Sequence, residues 1–344
     1  MSQYAKAGVD LEASGSLKKR IGDLVASTYS KNVVSKGGEF GGLYRLPNSG
    51  QTVVASVDGV GTKLKVAMMA GRHDTVGQDL VNHCVNDIAV MGATPLFFLD
   101  YFASGRLPES VTLDVVSGIT KACRNHDIAV LGGETAQMPE FYEDGEYDLA
   151  GAIFGIVNEE DTLPKLDQIS SGDVLVAFKS NGLHTNGYTL ARDILFSRAD
   201  LDVNDYSEEL GANWADELLR IHRSYFEIIQ ALISQDLVNA FAHITGGGIP
   251  GNLGRVLPEG LKALVDVSSI QTQPVFQVLM DYGQVSLEEM FDVFNMGVGL
   301  IAVCPELGAG SILTQYANDA FRIGTLVTTS EKAKEGPVVL EGLA

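Results

Sequence analysis

Residues Thr52–Lys63 read TVVASVDGVGTK. The apolar, β-branched run 52–57 predicts a buried strand. Asp58 and Gly59 end it in a glycine turn, so a strand delivers a carboxylate to a loop. The loop is not a P-loop: that motif reads G-x-x-x-x-G-K-[ST], whereas here one residue separates Gly59 from Gly61 and Thr62 precedes Lys63. Asp58 has two readings from its residues alone. It caps local backbone N–H groups, or it holds the cation that accompanies a nucleotide. In the second, Gly59 and Gly61 let backbone approach phosphates, and Thr62 and Lys63 supply a hydroxyl and a charge.

Outward from this stretch, strands and helices alternate. Leu80, Cys84, Ile88 and Met91 form one apolar stripe, predicting a helix over 76–91 that Gly92 and Pro95 stop. Asp79, Asn82 and Asn86 share the opposite, polar face. Asp87 falls in the last turns, where the helix dipole disfavours a carboxylate. Strands are expected at 96–103, 128–131 and 149–157, with a helix from about Pro108. The second strand runs into Gly132-Gly133-Glu134. Asp58, Asp87 and Glu134 form an acidic cluster if their elements are neighbours. Asp100 is an isolated charge in an aromatic strand. The glycine-rich segment Lys36–Gly42 is either a cover over a nucleotide or a linker.

The polar stretch 158–172 divides the chain into residues 1–168 and 169–344. The second half continues with strands near 174–178, 238–244, 263–267 and 299–303, and helices within 213–235. The class is α/β (α+β) with two domains. Two loops stand out: Ser180–Gly187, carrying His184, Thr185 and Asn186, and Thr245–Gly251, carrying Gly246, Gly247 and Gly248. The latter contains G-x-G-x-x-G after a strand, which is either a dinucleotide fingerprint with Asp266 as the ribose acid or a nest of amides for one phosphate.

With 344 residues, 45% of them hydrophobic, the chain forms its cores without staples. The 44 acidic against 24 basic residues, net −20, argue against nucleic acid or an anionic membrane as partner. Cys84, Cys123 and Cys304 lie in apolar contexts without metal spacing, so buried free thiols and a cytoplasmic setting are expected. No run is apolar for long enough to span a bilayer.

The runs Ala7–Ser14 (AGVDLEAS), SVDGVGTKLKVA from Ser56, VNDIAVMGATPLFFLDYFA from Val85, GGETAQMP from Gly132, NGLHTNGY from Asn181, HITGGGIP from His243 and FNMGVGL from Phe294 occur in this order. Together they resemble the aminoimidazole ribonucleotide synthetase family, from about residue 4 to the end. Formylglycinamidine ribonucleotide synthetase, selenophosphate synthetase and thiamine monophosphate kinase share its outline. The resemblance implies an N-terminal mixed sheet that forms a barrel-like core with a second subunit, and a C-terminal α/β domain. It implies ATP-dependent ring closure of formylglycinamidine ribonucleotide through an iminophosphate, in a homodimer using Mg²⁺. Asp58 and Asp87 then look like metal ligands and Glu134 like a third acidic partner. Gly59, Gly61, Thr62, Lys63 and Asn86 look like nucleotide contacts, with Gly37, Gly38, Gly41 and Gly42 as a cover. His184 looks like a stabiliser of charge during transfer, and Thr185, Asn186 and Gly246–Gly248 like substrate-phosphate and cleft groups. Three stretches depart from the family pattern. Ser27–Asn32 has only Lys31 as a basic residue, Val265–Ile270 lacks a tryptophan, and Ile249-Pro250-Gly251 follows the glycines where polar residues are frequent.

Overall fold

In the computed structural model of the protein, residues 2–9, 11–35, 37–329 and 336–343 are described. Asp10 and Lys36 of the runs quoted above lie outside them. Two mixed sheets organise the chain. The first contains β1 (Gly42–Arg45), β2 (Gln51–Gly59), β3 (Thr94–Ser104), β4 (Ala129–Gln137) and β5 (Tyr147–Asn158) in the order β1-β2-β5-β3-β4. Only β3 and β4 run parallel. The second contains β6 (Val174–Lys179), β9 (Ala240–His243), β10 (Leu261–Asp266), β11 (Val298–Cys304), β12 (Ala320–Thr328) and β13 (Val338–Glu341), in the order β13-β10-β12-β6-β11-β9. A two-residue ladder, β7 (Tyr206–Ser207) with β8 (Ala212–Asn213), stands apart. Among the described residues no helix is long and apolar enough to cross a membrane. All three cysteines are free and buried.

β2 is one residue longer at its start than the periodicity suggests and keeps Asp58 and Gly59 in the ladder, with Asp58 opposite Gly151 of β5. Its alternation buries Thr52 and Val54, while Val57 is 71% exposed. The strand is thus covered on one face, not both. That cover is the helix Val76–Ala89, whose Leu80, Cys84 and Ile88 are fully buried. Beside it runs Glu109–Asn125. The two helices come close because Gly77 and Gly118 face each other: a Cβ on Gly77 would lie 2.2 Å from the Val115 carbonyl oxygen. Gly77→Ala is therefore expected to cost about 1–3 kcal/mol through overpacking, read as a lowered urea midpoint with unchanged far-ultraviolet dichroism. An unchanged midpoint would show that the helices can separate freely.

The expected polar face of the Val76–Ala89 helix is not solvated. It is the seam between the two halves. Asn82 Nδ2 donates to the His222 carbonyl (2.7 Å), Asn86 Nδ2 donates to the Arg223 carbonyl (2.9 Å), and Asn86 Oδ1 accepts from the Tyr225 amide (2.8 Å). Asp79 accepts from the His222 amide at 2.6 Å. Buried polar groups must find partners, and here they find them about 140 residues away in the chain.

In the second sheet β6 and β11 are almost wholly buried and form the centre. β9 is an edge strand and runs antiparallel to β11. A dinucleotide fingerprint needs a parallel β-α-β unit, so this ladder overturns that reading of Gly246–Gly251. Asp266, its expected ribose acid, caps a short 3₁₀ turn through Ser268 instead.

Candidate active site

β2 carries Asp58 to the mouth of a cavity of about 360 Å³ between the two halves. Gly59 and Gly61 border it from the strand end, and His83 and Asp87 from the Val76–Ala89 helix. Thr185, Asn186, Thr245, Gly246 and Arg255 border it from the second half. Phe40 separates it from an adjoining cavity of about 270 Å³ lined by Gly37, Gly38, Gly41 and Gly42. The Arg255 guanidinium stands 5.0 Å from the centre of the Phe40 ring, so a cation and an aromatic face meet where the cavities join.

The floor of the larger cavity is a hydrogen-bonded chain between two carboxylates. Asp58 Oδ2 lies 3.0 Å from His83 Nε2, and His83 Nδ1 lies 2.9 Å from Thr185 Oγ1. Thr185 Oγ1 is 3.2 Å from His222 Nδ1, His222 Nε2 is 3.0 Å from His243 Nε2, and His243 Nδ1 is 2.8 Å from Asp87 Oδ1. Each of these five links needs one proton. Three neutral imidazoles and one hydroxyl bring four, and the terminal carboxylates bring none. Filling the chain therefore requires one surplus proton, hence one imidazolium.

The electrostatics place it on His83. Burial alone would push this imidazole down, but the Asp58 carboxylate, helped by Asp87 and Asp79, pulls it up to about 9. Burial alone would raise the Asp58 carboxyl, but His83, together with the Gly59 amide and His243, holds it below its ordinary value. Burial keeps His243 below the usual histidine range despite its bond to Asp87. Burial, reinforced by neighbouring imidazoles, holds His222 and His184 well below it.

The structure brings together Asp58, Asp87, Gly59, Gly61, Thr185, Asn186 and Gly246. It places the other expected residues elsewhere. Lys63 does not face the cavity. It is fully buried, and its Nζ donates to Asp79 (2.9 Å), to the His184 carbonyl (3.0 Å) and to the Arg220 carbonyl (2.6 Å), leaving no proton for a phosphate. Thr62 bonds Thr189 across the seam at 2.9 Å. Asn86 is spent on the seam contacts described above. His184 lies beneath the cavity floor, stacked on His222 at 4.1 Å, with Nδ1 buried and unpartnered. It does not border the cavity, where its expected role as a charge stabiliser would place it. Gly247 and Gly248 open the helix Gly248–Leu253 with left-handed φ of 92° and 58° and do not border the cavity. Glu134 is on β4, separated from β2 by β5 and β3. Within one chain it therefore does not join the acidic pair, because strand order rather than motif order decides the neighbours. Asp100 is half-buried on β3 against Gly133, away from the cavity, and burial raises its carboxyl.

Sequence reasoning missed His83, His222, His243, Arg255 and Phe40. His83 had a signal, since it sits four residues before Asp87 and on the same helix face. His243 ends a strand just before the glycine loop. His222 had none: it follows a short helix in a segment with no recognisable pattern.

Residues 38–157 match the AIR synthase related protein, N-terminal domain, and residues 170–334 match the AIR synthase related protein, C-terminal domain. The chain is 46% identical to the phosphoribosylformylglycinamidine cyclo-ligase of Geobacter sulfurreducens, covering 94% of each chain. It is 40% identical to that of Alkaliphilus metalliredigens over 96% of each. Among solved structures, thiamine-monophosphate kinase from Stenotrophomonas maltophilia superposes with a TM-score of 0.62 at 18% identity, covering 93% of this chain and 94% of its own. The hydrogenase maturation protein HypE of E. coli gives 0.60 at 16%, covering 95% of each. These distant structures support the fold alone. Both domain matches, in order, and identity at this level over nearly the whole length show that the chain belongs to the aminoimidazole ribonucleotide (AIR) synthase family.

Proposed function

We propose that the protein closes the imidazole ring of formylglycinamidine ribonucleotide at the expense of ATP, giving aminoimidazole ribonucleotide, ADP and phosphate. The observation that carries this is the pair Asp58 and Asp87, on two different elements, converging on one imidazole at the floor of a cavity between the domains. An amide oxygen is a poor leaving group. Transfer of the γ-phosphoryl to it gives an iminophosphate. The amidine nitrogen of the same molecule then attacks that carbon, the C–O bond breaks, and phosphate leaves with the oxygen. The ring loses one proton to become aromatic. The walls hold the two ends of the substrate together, which removes much of the entropic barrier.

The two carboxylates fit Mg²⁺, a cation that prefers oxygen donors, and Asp58, with 40% of its side chain exposed, faces the open side. When bound, the ion would neutralise charge on the transferring phosphoryl group. The protein's part is to hold Asp58 ionised through His83, to fix Asp87 through His243, and to offer Gly59, Gly61 and Gly246 as close backbone approaches. Arg255 supplies a cation at the phosphate side and Phe40 an aromatic face. Residues 1–168 would carry ATP and the dimer contact, and 169–344 the substrate. A homodimer in the cytoplasm is part of the proposal. Its support is the nearly bare edge strand β4 and the exposed Val57, Leu96, Tyr101 and Leu131 on the first sheet, an unusual density of apolar surface.

The assay is direct. Purified protein with Mg-ATP and formylglycinamidine ribonucleotide under reducing conditions should release ADP in step with an aminoimidazole detected by its colour reaction. ATP hydrolysis without that product, or no turnover at all, would overturn the proposal.

A further inference from the structure

A further cavity, of about 540 Å³, lies where the chain leaves the first sheet for the second half. Its volume is that of a small-molecule site, and it shares no lining residue with the cavity at Asp58. Two elements build it. In the first sheet Gln51 stands opposite Asn158 in the β2–β5 ladder, and Thr94 stands opposite Ile156 in the β3–β5 ladder. Residues directly opposite share a face, and so do residues two apart on one strand. Two amides, a hydroxyl and an aliphatic side chain therefore stand together at the end of the sheet. From the second half the helix Phe226–Ser234 contributes Gln230, Ile233 and Ser234, which recur at i, i+3 and i+4 and share one helix face. The wall between is rigid. Gly92 has a left-handed φ of 85°, and a Cβ there would lie 2.6 Å from the Asp161 carbonyl oxygen.

We propose that this cavity binds an uncharged nucleobase or its nucleoside and rejects the phosphorylated forms. A side-chain amide offers a donor and an acceptor side by side, the pattern that reads the edge of a base such as adenine. Gln51, Asn158 and Gln230 bring three such groups from two directions, and Ile156 and Ile233 bring aliphatic surface for the flat faces of a ring. One amide group is left without use by the protein itself. Gln230 Nε2 is shut off from water and has no hydrogen-bond partner, a costly state for a buried donor. The terminal torsion of a glutamine turns easily, and a ring nitrogen or carbonyl presented from the cavity gives that donor its acceptor. Charge decides against phosphate. Among the described residues no lysine or arginine lines the cavity, and its one ionisable lining group is the acidic Asp161. Asn158 Nδ2 donates to Asp161 Oδ2 at 2.9 Å, which fixes the carboxylate at the rim and leaves the Asn158 carbonyl oxygen to accept from a ligand. An anionic group buried here would find no counter-charge.

The inference goes beyond the ring-closing reaction and does not rest on it. The probe is adenosine, added to the full chain with a non-hydrolysable Mg-ATP analogue in excess, so that any nucleotide site elsewhere is already filled. Calorimetry should show one further site per chain. AMP should bind it at least about tenfold more weakly than adenosine, because its phosphate meets Asp161 and no cation. Adenosine bridges the two halves, so the melting temperature should climb with its concentration. Gln230→Met keeps the reach of the side chain and removes its amide. It should weaken adenosine binding about tenfold while the dichroism spectrum stays that of the wild type. A readout without variants is photolabelling with 8-azidoadenosine in the same mixture, which should mark peptides from Phe226–Ser234 or from the end of β5. No adenosine bound beyond the analogue's site would overturn the proposal. So would AMP binding as tightly as adenosine, ribose competing as well as adenosine, wild-type affinity in Gln230→Met, or label confined to residues 37–61.

Discussion

Asp58→Asn is expected to lower kcat by about 10²–10³-fold, the usual loss when one preorganised electrostatic group is removed from a charge-transfer site. The substitution keeps the shape of the side chain and its acceptor for the Gly59 amide, now 2.7 Å from Oδ1. What disappears is the negative charge at the mouth of the cavity. His83 loses the partner that keeps it protonated, so the chain of bonds to Asp87 loses the reason for its surplus proton. Steady-state kinetics should show the fall in kcat, with the melting temperature near that of the wild type because Asp58 borders open space. A variant that turns over at the wild-type rate would remove Asp58 from the chemistry and leave it as a turn cap.

Lys63→Met is expected to act on stability rather than on nucleotide binding. Burial pulls the Lys63 ammonium below and the Asp79 carboxyl above their ordinary values, and each charge holds the other in place. Removing one partner of a fully buried pair leaves the other uncompensated, at a cost of about 3–5 kcal/mol. Two carbonyls, of His184 and Arg220, lose their donor at the same time. Urea denaturation should show a large drop in midpoint. Lys63→Met/Asp79→Leu should recover part of it, since no lone charge then remains. The contrary pattern, wild-type stability with a raised KM for ATP, would restore Lys63 to the phosphates.

The contrast between these two residues shows what the sequence carried. Asp58 was legible because a β-branched run has a definite end and a charge at that end must be accounted for. Asp87 was legible because it opposes the helix dipole. Lys63 was misread because it is the first residue of the helix Lys63–Ala70: its stem leaves the loop and enters the seam rather than following the glycines. Glu134 was misread for a topological reason, since two strands come between β4 and β2. The histidine chain was the least legible part. His83 and Asp87 come from one helix, but Thr185, His222 and His243 come from three separate places in the other half. Periodicity reports on neighbours along one element, and these contacts are made between elements.

The seam also sets an order of events during synthesis. Asp79 on the Val76–Ala89 helix finds the His222 amide 143 residues further along the chain. Until that stretch has left the ribosome, the helix has its apolar side against β2 and β5 and such polar partners as Lys63 and Asp58 from the first half, but not those of the second. The groups of its polar stripe that later bond His222, Arg223 and Tyr225 lack those partners until then. The first half is therefore completed by the second in a literal sense: for the 143 residues of synthesis that separate Asp79 from His222, the seam has only one of its two sides.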